Sequence, residues 1–243
     1  GALMNGYLTS NQSVTIINLT GWLLCARCTR RNEVDMENRE KHTKERILEE
    51  ALKLFAQCGY KGTSMNDIAA KLGVTKAALY KHYASKQEIL DCIIERMNQM
   101  DQERIKKYEM PEGSMEDVIA GYKSTAFDKI KEFTKVQFVH WTEEEFSCCF
   151  RKMLTLEQYR DAEMARLYQS YLAKEPVAFI ENIFAGLLDD TEEARQLALD
   201  FYGPIFLLYS LYDGAEEKQD ILKMVEQHVD RFEKKFLRTS VQK

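Results

Sequence analysis

Apolar residues recur with helical spacing over most of the chain, beginning near residue 43. The first apolar stripe follows the i, i+3, i+4, i+7 spacing of an amphipathic helix, at Ile47, Leu48, Ala51, Leu52, Leu54 and Phe55. Gly59 follows this stripe, in the position where a glycine commonly ends a helix. The pattern predicts a helix from about Thr43 to Cys58.

Two short helices are predicted next, each opened by a hydroxyl side chain that can cap it. Ser64 and Asp67 have the spacing of a capping box, and this helix stops at Gly73. Thr75 opens the second short helix, which runs to about Tyr83. Two short helices joined by a turn that contains glycine are typical of a helix-turn-helix.

Longer helices are predicted for the rest of the chain. Ser85 and Glu88 form another capping box, ahead of a long helix. Pro176 separates a predicted helix at Leu154–Ala173 from one at Val177–Leu188, and two more follow. The sequence contains no alternating β pattern and no repeat, so the predicted fold class is all-α.

Composition and net charge narrow the class of protein. The chain has 243 residues, of which 45% are hydrophobic and 3 are proline, and this is an ordered globular composition. Its apolar stretches are shorter than the ~20 residues of a membrane span. The 6 irregularly spaced cysteines do not suggest a disulfide framework and favour a reducing cytoplasm. The net charge of −5 counts weakly against a nucleic-acid partner.

The first 35 residues differ in character from the rest. They are rich in Asn, Thr and Ser and lack helical periodicity, so we expect a tail or upstream sequence outside the fold, with translation starting at Met36. Cys25 and Cys28 have zinc-knuckle spacing, but no second pair follows nearby, which favours coincidence. The predicted domains are the tail at 1–35, a helix-turn-helix DNA-binding domain at 36–86, and a larger helical domain at 87–243.

The second short helix carries the candidate DNA-reading surface. The residues spaced to pack the two short helices together are Ile68, Ala69, Leu72, Val74 and Leu79. The residues left facing outward are Lys76, Ala77, Ala78, Tyr80, Lys81 and His82. Small side chains near the helix start allow close approach to DNA, and such a helix lies in the major groove with its first residues against base edges.

A set of motifs extends over residues 43–97: ILEEALKLF, GYKGTS, DIA, GVTK, and LYKHY followed by Ser85 and Lys86. With these motifs the region resembles the N-terminal DNA-binding domain of the tetracycline-repressor (TetR) family. The resemblance implies an all-α fold, in which a three-helix DNA-binding domain precedes a larger helical domain for effector binding and dimerisation. It also implies a homodimeric repressor that a small-molecule effector releases from a palindromic operator.

The resemblance implies roles for single residues as well. Thr63, Ser64 and Thr75 fall where family members hold DNA phosphates at helix N-termini. Along the recognition helix, the implied DNA-contacting residues are Lys76, Ala77, Ala78, Tyr80, Lys81 and His82, and Lys86 is the implied backbone contact beyond it. For His82, a phosphate contact and simple packing are equal alternatives.

The position of the charges reverses the argument from net charge. Residues 59–86 hold five lysines against one aspartate, a local net charge of +4. Residues 101–243 hold 20 basic and 28 acidic side chains, a net charge of −8. The sequence therefore predicts a small cationic DNA-binding domain joined to a larger acidic domain, with DNA binding that weakens as the salt concentration rises.

Two further surfaces are predicted in the larger domain. The predicted dimer interface on the last two helices consists of Leu197, Phe201, Ile205, Leu208, Leu222, Val225 and Val229, a stripe that would equally fit an internal core. The candidate effector pocket consists of Tyr122, Phe138, Trp141, Tyr159, Met164, Tyr168 and Phe184, each of which also fits an ordinary core. No cofactor and no metal site is predicted.

Other functions are weighed against the regulator. Cys148 and Cys149, near His140, would permit a thiol- or metal-responsive regulator. An all-α enzyme is disfavoured because the sequence lacks phosphate-loop, dinucleotide-binding, zinc-protease and nucleophile-elbow motifs. A helical adaptor would not need a basic reading helix. The expected partners are double-stranded operator DNA, a small-molecule effector and a second copy of the chain, in the cytoplasm and without a membrane.

Overall fold

The computed structural model describes residues 38–188 and 191–241, without the side chains of 237–241. The chain divides into two compact units, Gly1–Ile47 and Leu48–Lys243. All regular structure in the described ranges is helical, as the sequence predicts. No helix within these ranges combines the length and the apolar character that crossing a membrane requires.

Eleven helices, α1 to α11, account for the regular structure of the described residues. Those of the N-terminal part are α1 (38–58), α2 (Met65–Leu72), α3 (Lys76–Tyr80) and α4 (Lys86–Lys107). Those that follow are α5 (Met115–Ser124), α6 (Phe127–Thr142), α7 (Glu145–Glu157), α8 (Ala162–Leu172), α9 (Lys174–Leu188), α10 (Thr191–Gly214) and α11 (Lys218–Val241).

The predicted tail and its cysteine pair, Cys25 and Cys28, lie outside the described residues, as does Met36. The domain boundaries at 36–86 and 87–243 stay a prediction.

The helix boundaries predicted between residues 154 and 188 differ from the observed ones. The predicted helix at Leu154–Ala173 is divided into α7 and α8 because Asp161 adopts an extended conformation and caps α8. Its carboxylate accepts the backbone N–H groups two and three residues further on, at 2.9 and 3.1 Å. The separation predicted at Pro176 lies three residues earlier, at Ala173, because α9 already begins at Lys174. The proline therefore occupies the first turn, where its missing N–H costs no helical hydrogen bond.

The apolar stripe predicted as a dimer interface packs inside the protomer. Leu197, Ile205, Leu208, Leu222, Val225 and Val229 are all buried. Nearby, Phe138 of α6 stacks on Tyr209 of α10, with ring centroids 5.2 Å apart, and meets Tyr212 edge-on at 5.7 Å. The structure thus realises the internal-core alternative for six of the seven residues, because the stripe faces the other helices of the same chain.

A buried polar network joins α4, α6 and α7. Arg104 donates hydrogen bonds to Asp101 Oδ1 at 2.6 Å and to Gln137 Oε1 at 2.9 Å. Its Nη2 lies 2.5 Å from Nδ1 of the fully buried His140, and Glu144 Oε2 lies 2.8 Å from the same nitrogen. Burial, together with the neighbouring Arg104, lowers the pKa of His140 to about 4. The network therefore holds a neutral imidazole at neutral pH.

We expect His140 to make the fold less stable in mild acid. Its pKa is about 4 in the folded chain and 6.5 when unperturbed, so between these values the unfolded chain binds the extra proton and stability falls as the pH decreases. From roughly pH 7.5 to pH 5 this group alone should remove about 2 kcal/mol of unfolding free energy. The variant His140→Gln keeps an acceptor for Arg104 but cannot take up this proton. Over the same pH range its free energy of unfolding, measured in urea, should fall by about 2 kcal/mol less than that of the wild type. Equal losses in the two proteins would contradict a buried neutral His140.

Candidate nucleic-acid interface

Helix α2 is fixed at both ends by the local signals that the sequence carries. Ser64 Oγ accepts the backbone N–H of Asp67 at 3.3 Å. The Asp67 carboxylate accepts the Ser64 hydroxyl at 2.6 Å and its backbone N–H at 2.7 Å, and these bonds hold the pKa of Asp67 below its usual value. Gly73 ends the helix with φ +68°, a left-handed conformation that favours glycine. The capping box is thus confirmed.

Helix α3 is short and is anchored through one buried side chain. Thr75 Oγ1 caps it by accepting the backbone N–H of Ala78 at 3.1 Å. Leu79 of α3 and Ile68 of α2 are fully buried, and Ala69 of α2 is almost fully buried. This burial confirms that these three residues pack the two helices together. Leu72 is only half-buried, and Val74 stays 40% exposed in the turn. The helix ends at Tyr80, earlier than the sequence predicts.

The outward face of α3 carries the predicted reading residues. Lys76, Ala77 and Lys81 are exposed, and Tyr80 is 42% exposed. The Lys76 ammonium lies 5.7 Å from the centroid of the Tyr80 ring, which places the cation and the aromatic ring on the same side of the helix. These side chains form one exposed patch of small, aromatic and cationic groups.

The other predicted DNA contacts differ in exposure. Ser64 and Thr75 are exposed at the starts of their helices, and Ala78 and His82 are half-buried. The buried Nδ1 of His82 has no hydrogen-bond partner among the described residues. Thr63 is buried, and its hydroxyl donates to Gly59 O at 2.9 Å, so this side chain holds the turn before α2.

Lys86, at the start of α4, points toward the turn that precedes α2. Its ammonium donates to the carbonyl oxygens of Tyr60 at 2.6 Å and Thr63 at 2.8 Å, and lies 4.3 Å from the centroid of the Tyr60 ring. Partial burial lowers its pKa. Lys86 thus ties α4 to the helix-turn-helix, a structural role that its sequence position does not reveal.

The turn between α7 and α8, which we call the corner (residues 157–161), contacts the segment that precedes α2. Lys61 pairs with Asp161 at 3.2 Å and donates to the carbonyl oxygen of Arg160 at 2.8 Å. The buried Glu157 carboxylate lies against Gly59, where a Cβ would be 2.1 Å from its Oε1. Two of the five lysines counted in the cationic region, Lys61 and Lys86, are therefore engaged within the protein.

A large cavity lies among the helices of the acidic part of the chain, lined by residues of α4, α5, α6 and α8 to α11. Its volume is about 1060 Å³, slightly above the usual upper size of about 1,000 Å³ for small-molecule sites. Three of the seven predicted pocket residues line it: Tyr122, Trp141 and Phe184. Phe138 and Met164 are buried elsewhere, Tyr159 is 89% exposed, and Tyr168 lines a smaller cavity of about 330 Å³.

Several lining residues were not predicted from the sequence. Asp101, Gln137 and Tyr171 line the cavity, and Phe201, predicted at the dimer interface, lines it as well. An aromatic residue gives a visible sequence signal, whereas a single polar residue on an exposed-looking helix does not. The position of Asp101 could be found only once α4 was packed against α6.

The vicinal cysteines give little support to a sensor. Burial raises the pKa of the Cys149 thiol, which disfavours the reactive thiolate. No group of three or more His, Cys, Asp or Glu side chains with metal-binding geometry occurs in the described part of the chain.

Sequence comparisons match the region built around α2 and α3. Residues 47–93 match the model of the bacterial regulatory proteins of the tetR family. The biofilm operon icaADBC HTH-type negative transcriptional regulator IcaR of Staphylococcus epidermidis is 44% identical over 46 residues, which cover 19% of this chain. The matched part is only 25% of that relative's length.

Structural comparisons extend over most of the chain. A TetR-family transcriptional regulator from Bordetella parapertussis has a TM-score of 0.54 at 19% identity, covering 78% of this chain and 93% of that one. AibR, in complex with isovaleryl coenzyme A and operator DNA, has a TM-score of 0.52 at 22% identity, covering 76% and 96%. At these identities the similarity shows that the chain shares the fold of these regulators.

Removing the α2 cap should lower stability without changing the surface of α3. The variant Ser64→Ala leaves the Asp67 N–H without its acceptor and should reduce the unfolding free energy by about 1 kcal/mol in urea titration. Ser64→Thr, which keeps the hydroxyl, is the matched control and should lose less. If the alanine variant were as stable as the wild type, the cap would not contribute to the stability of the fold.

Proposed function

We propose that the chain is a TetR-family transcriptional regulator, as the match at residues 47–93 and the shared fold support, and that it binds one specific operator as a homodimer and leaves it when a small molecule binds. The observation that carries this proposal is helix α3, which is capped by Thr75, anchored by the buried Leu79 and exposed along its outer face. The proposal assigns the chain no catalytic step. It places the protein in the cytoplasm, where operator DNA is accessible.

The shape and charge of α3 suit the major groove. Its first residues include Ala77 and Ala78, whose short side chains let the backbone approach base edges. Lys76 and Lys81 are exposed and can neutralise phosphates or contact guanine, and Tyr80 can reach a base or a phosphate. The exposed N-terminal hydroxyls of Ser64 and Thr75 suit phosphate contacts at the starts of α2 and α3.

Repression is the proposed direction of control. The Staphylococcus relative is a negative transcriptional regulator, and its similarity to this chain lies in the DNA-binding region. A protein that occupies an operator blocks transcription without further machinery, whereas activation needs a contact with polymerase. The relative therefore supports repression, while its own operon is not assigned to this chain.

The cavity supports control by a small molecule. AibR, which shares the fold, is described in complex with isovaleryl coenzyme A and operator DNA. In this chain the cavity wall includes Asp101 of α4, and the same helix begins at Lys86, which holds the helix-turn-helix. A ligand that favours another position of α4 would shift the population away from the DNA-binding state.

The exposed face of α10 is the proposed dimer surface. Its apolar or small exposed residues are Leu199, Gly203, Phe206, Leu207 and Leu211, which recur at helical spacing. Gly203 has open space where a Cβ would lie, so a second helix can approach closely there. Two copies of this face would form a self-complementary interface. Dimerisation matters because one short helix reads too few base pairs, and two half-sites lie about 34–36 Å apart.

Truncating the outer face of α3 should weaken specific binding. Lys76→Ala, Tyr80→Ala and Lys81→Ala should each raise the Kd for a duplex selected from a random library about tenfold, by analogy with the loss of one good base or phosphate contact. Each lysine variant should also reduce the slope of log K against log salt by about 0.9 if that lysine contacts a phosphate. Both quantities can be read from gel-shift titrations at several salt concentrations.

Lys61→Ala is the control for general loss of charge. Lys61 is paired with Asp161, so its removal should change the slope less than removal of Lys76 or Lys81. If none of the three α3 variants weakens specific binding, the DNA-reading proposal fails.

A charge on the exposed α10 face should prevent dimerisation. Leu207 is 60% exposed in the protomer, so Leu207→Glu should leave the fold intact while burying an unpaired carboxylate in any interface formed there. Sedimentation equilibrium should show a dimer for the wild type and a monomer for this variant. The control Tyr159→Glu, on a distant exposed residue, should stay dimeric. A dimer unaffected by Leu207→Glu would place the interface elsewhere.

A further inference from the structure

We propose that the large cavity binds an organic amine in its protonated form, with an aromatic or alkyl body and an ammonium group that pairs with Asp101. This inference names the ligand class for the cavity of the proposed regulator and rests on that proposal only for the ligand's regulatory role.

The walls of the cavity suit an apolar, partly aromatic body. Rings line it from several helices, among them Phe133 and Trp141 of α6, Phe184 of α9 and Tyr209 of α10. Ring faces carry negative electrostatic potential, so they also attract a cation that lies over them. At about 1060 Å³ the cavity admits a ligand larger than a simple alkylamine.

The charges that line the cavity favour a cation over an anion. Three charged side chains line it: Asp101, Lys123 and Glu175. Lys123 and Glu175 are exposed and opposite in sign, so their effects on a ligand's charge largely cancel. Asp101 is only partly exposed and is the least exposed of these three lining side chains, with the buried Arg104 beside it. A carboxylate in this position stabilises an ammonium and repels a carboxylate or phosphate.

Asp101 also has bonding capacity left after its contact with Arg104. Arg104 engages Oδ1, and burial still raises the pKa of the Asp101 carboxyl above its usual value despite that neighbouring cation. A second positive partner would therefore stabilise the charged form further. Within the described residues the contacts of Asp101 are made by Oδ1, so Oδ2 can accept a hydrogen bond from a ligand ammonium, which is a strong charge-assisted contact.

A second observation concerns His140, which lies next to Asp101 but does not itself line the cavity. The Nε2 atom of His140 is fully buried and has no hydrogen-bond partner among the described residues, and it lies 3.8 Å from Asp101 Oδ1. A buried polar atom without a partner is costly, so such atoms are commonly satisfied by a bound water or ligand. An amine that pairs with Asp101 would place its hydrogen-bonding group against the carboxylate that lies next to this atom.

Isothermal titration calorimetry tests the proposal, with the full chain at neutral pH and without DNA. The three probes share a phenylbutyl group and differ in the polar group at its end: 4-phenylbutylamine, 4-phenylbutanol and 4-phenylbutyrate. The amine should bind about tenfold more tightly than the alcohol, as expected for one charge-assisted hydrogen bond, and the acid should bind more weakly than both. Because Trp141 lines the cavity, the amine should also change its fluorescence.

Two variants locate the contact. Asp101→Asn should reduce amine affinity about tenfold, to the level of the alcohol, and leave alcohol binding unchanged, which also shows that the variant is folded. Glu175→Gln, at the exposed part of the lining, should bind all three probes as the wild type does.

Equal or tighter binding of the acid or the alcohol by the wild type would overturn the proposal, as would failure of the amine to bind. These measurements contain no DNA, so their failure is distinct from a failure of operator binding, which the α3 variants test separately.

Discussion

The position of α4 is the constraint on which the rest of the structure depends, because the two ends of this helix are held by different parts of the protein. At its start, the Lys86 ammonium holds the carbonyl oxygens of Tyr60 and Thr63. Toward its end, Arg104 is buried in the network with His140. The helix has 22 residues and is therefore about 33 Å long, so the proposed control by a ligand would act through a single helix that contacts both the cavity and the helix-turn-helix.

The contacts that hold the reading helices differ in strength, and the magnitudes indicate which of them can give way. Lys61 is largely exposed, so its pair with Asp161 contributes at most about 1 kcal/mol. Arg104 is 7% exposed and contacts Gln137 and His140 of α6, and a hydrogen bond made by a charged group contributes about 1.5–3 kcal/mol. The corner between α7 and α8 is thus the weaker attachment, and in the proposed function α4 is the element that would couple the cavity to α2 and α3.

Local signals made the N-terminal part predictable, whereas the larger helical part depended on packing. Ser64, Thr75 and Gly73 determine the ends of α2 and α3 through contacts within a few residues, so the sequence alone predicts them. Leu197 and Phe201 show the limit of the apolar pattern. The pattern indicates that one face of the helix is covered, but Leu197 packs in the core whereas Phe201 lines the cavity. Only the arrangement of the other helices decides between core, cavity and interface.

Hydroxyl-radical footprinting of a duplex selected from a random library by the wild-type chain tests the central claim most directly, because it reports where the protein lies on DNA. If two copies each place α3 in a major groove, the footprint should show two protected segments related by an inverted repeat. Their centres should be one helical turn apart, about 34–36 Å, or a multiple of it. Uniform protection along the duplex, or selection that enriches no common sequence, would contradict the account.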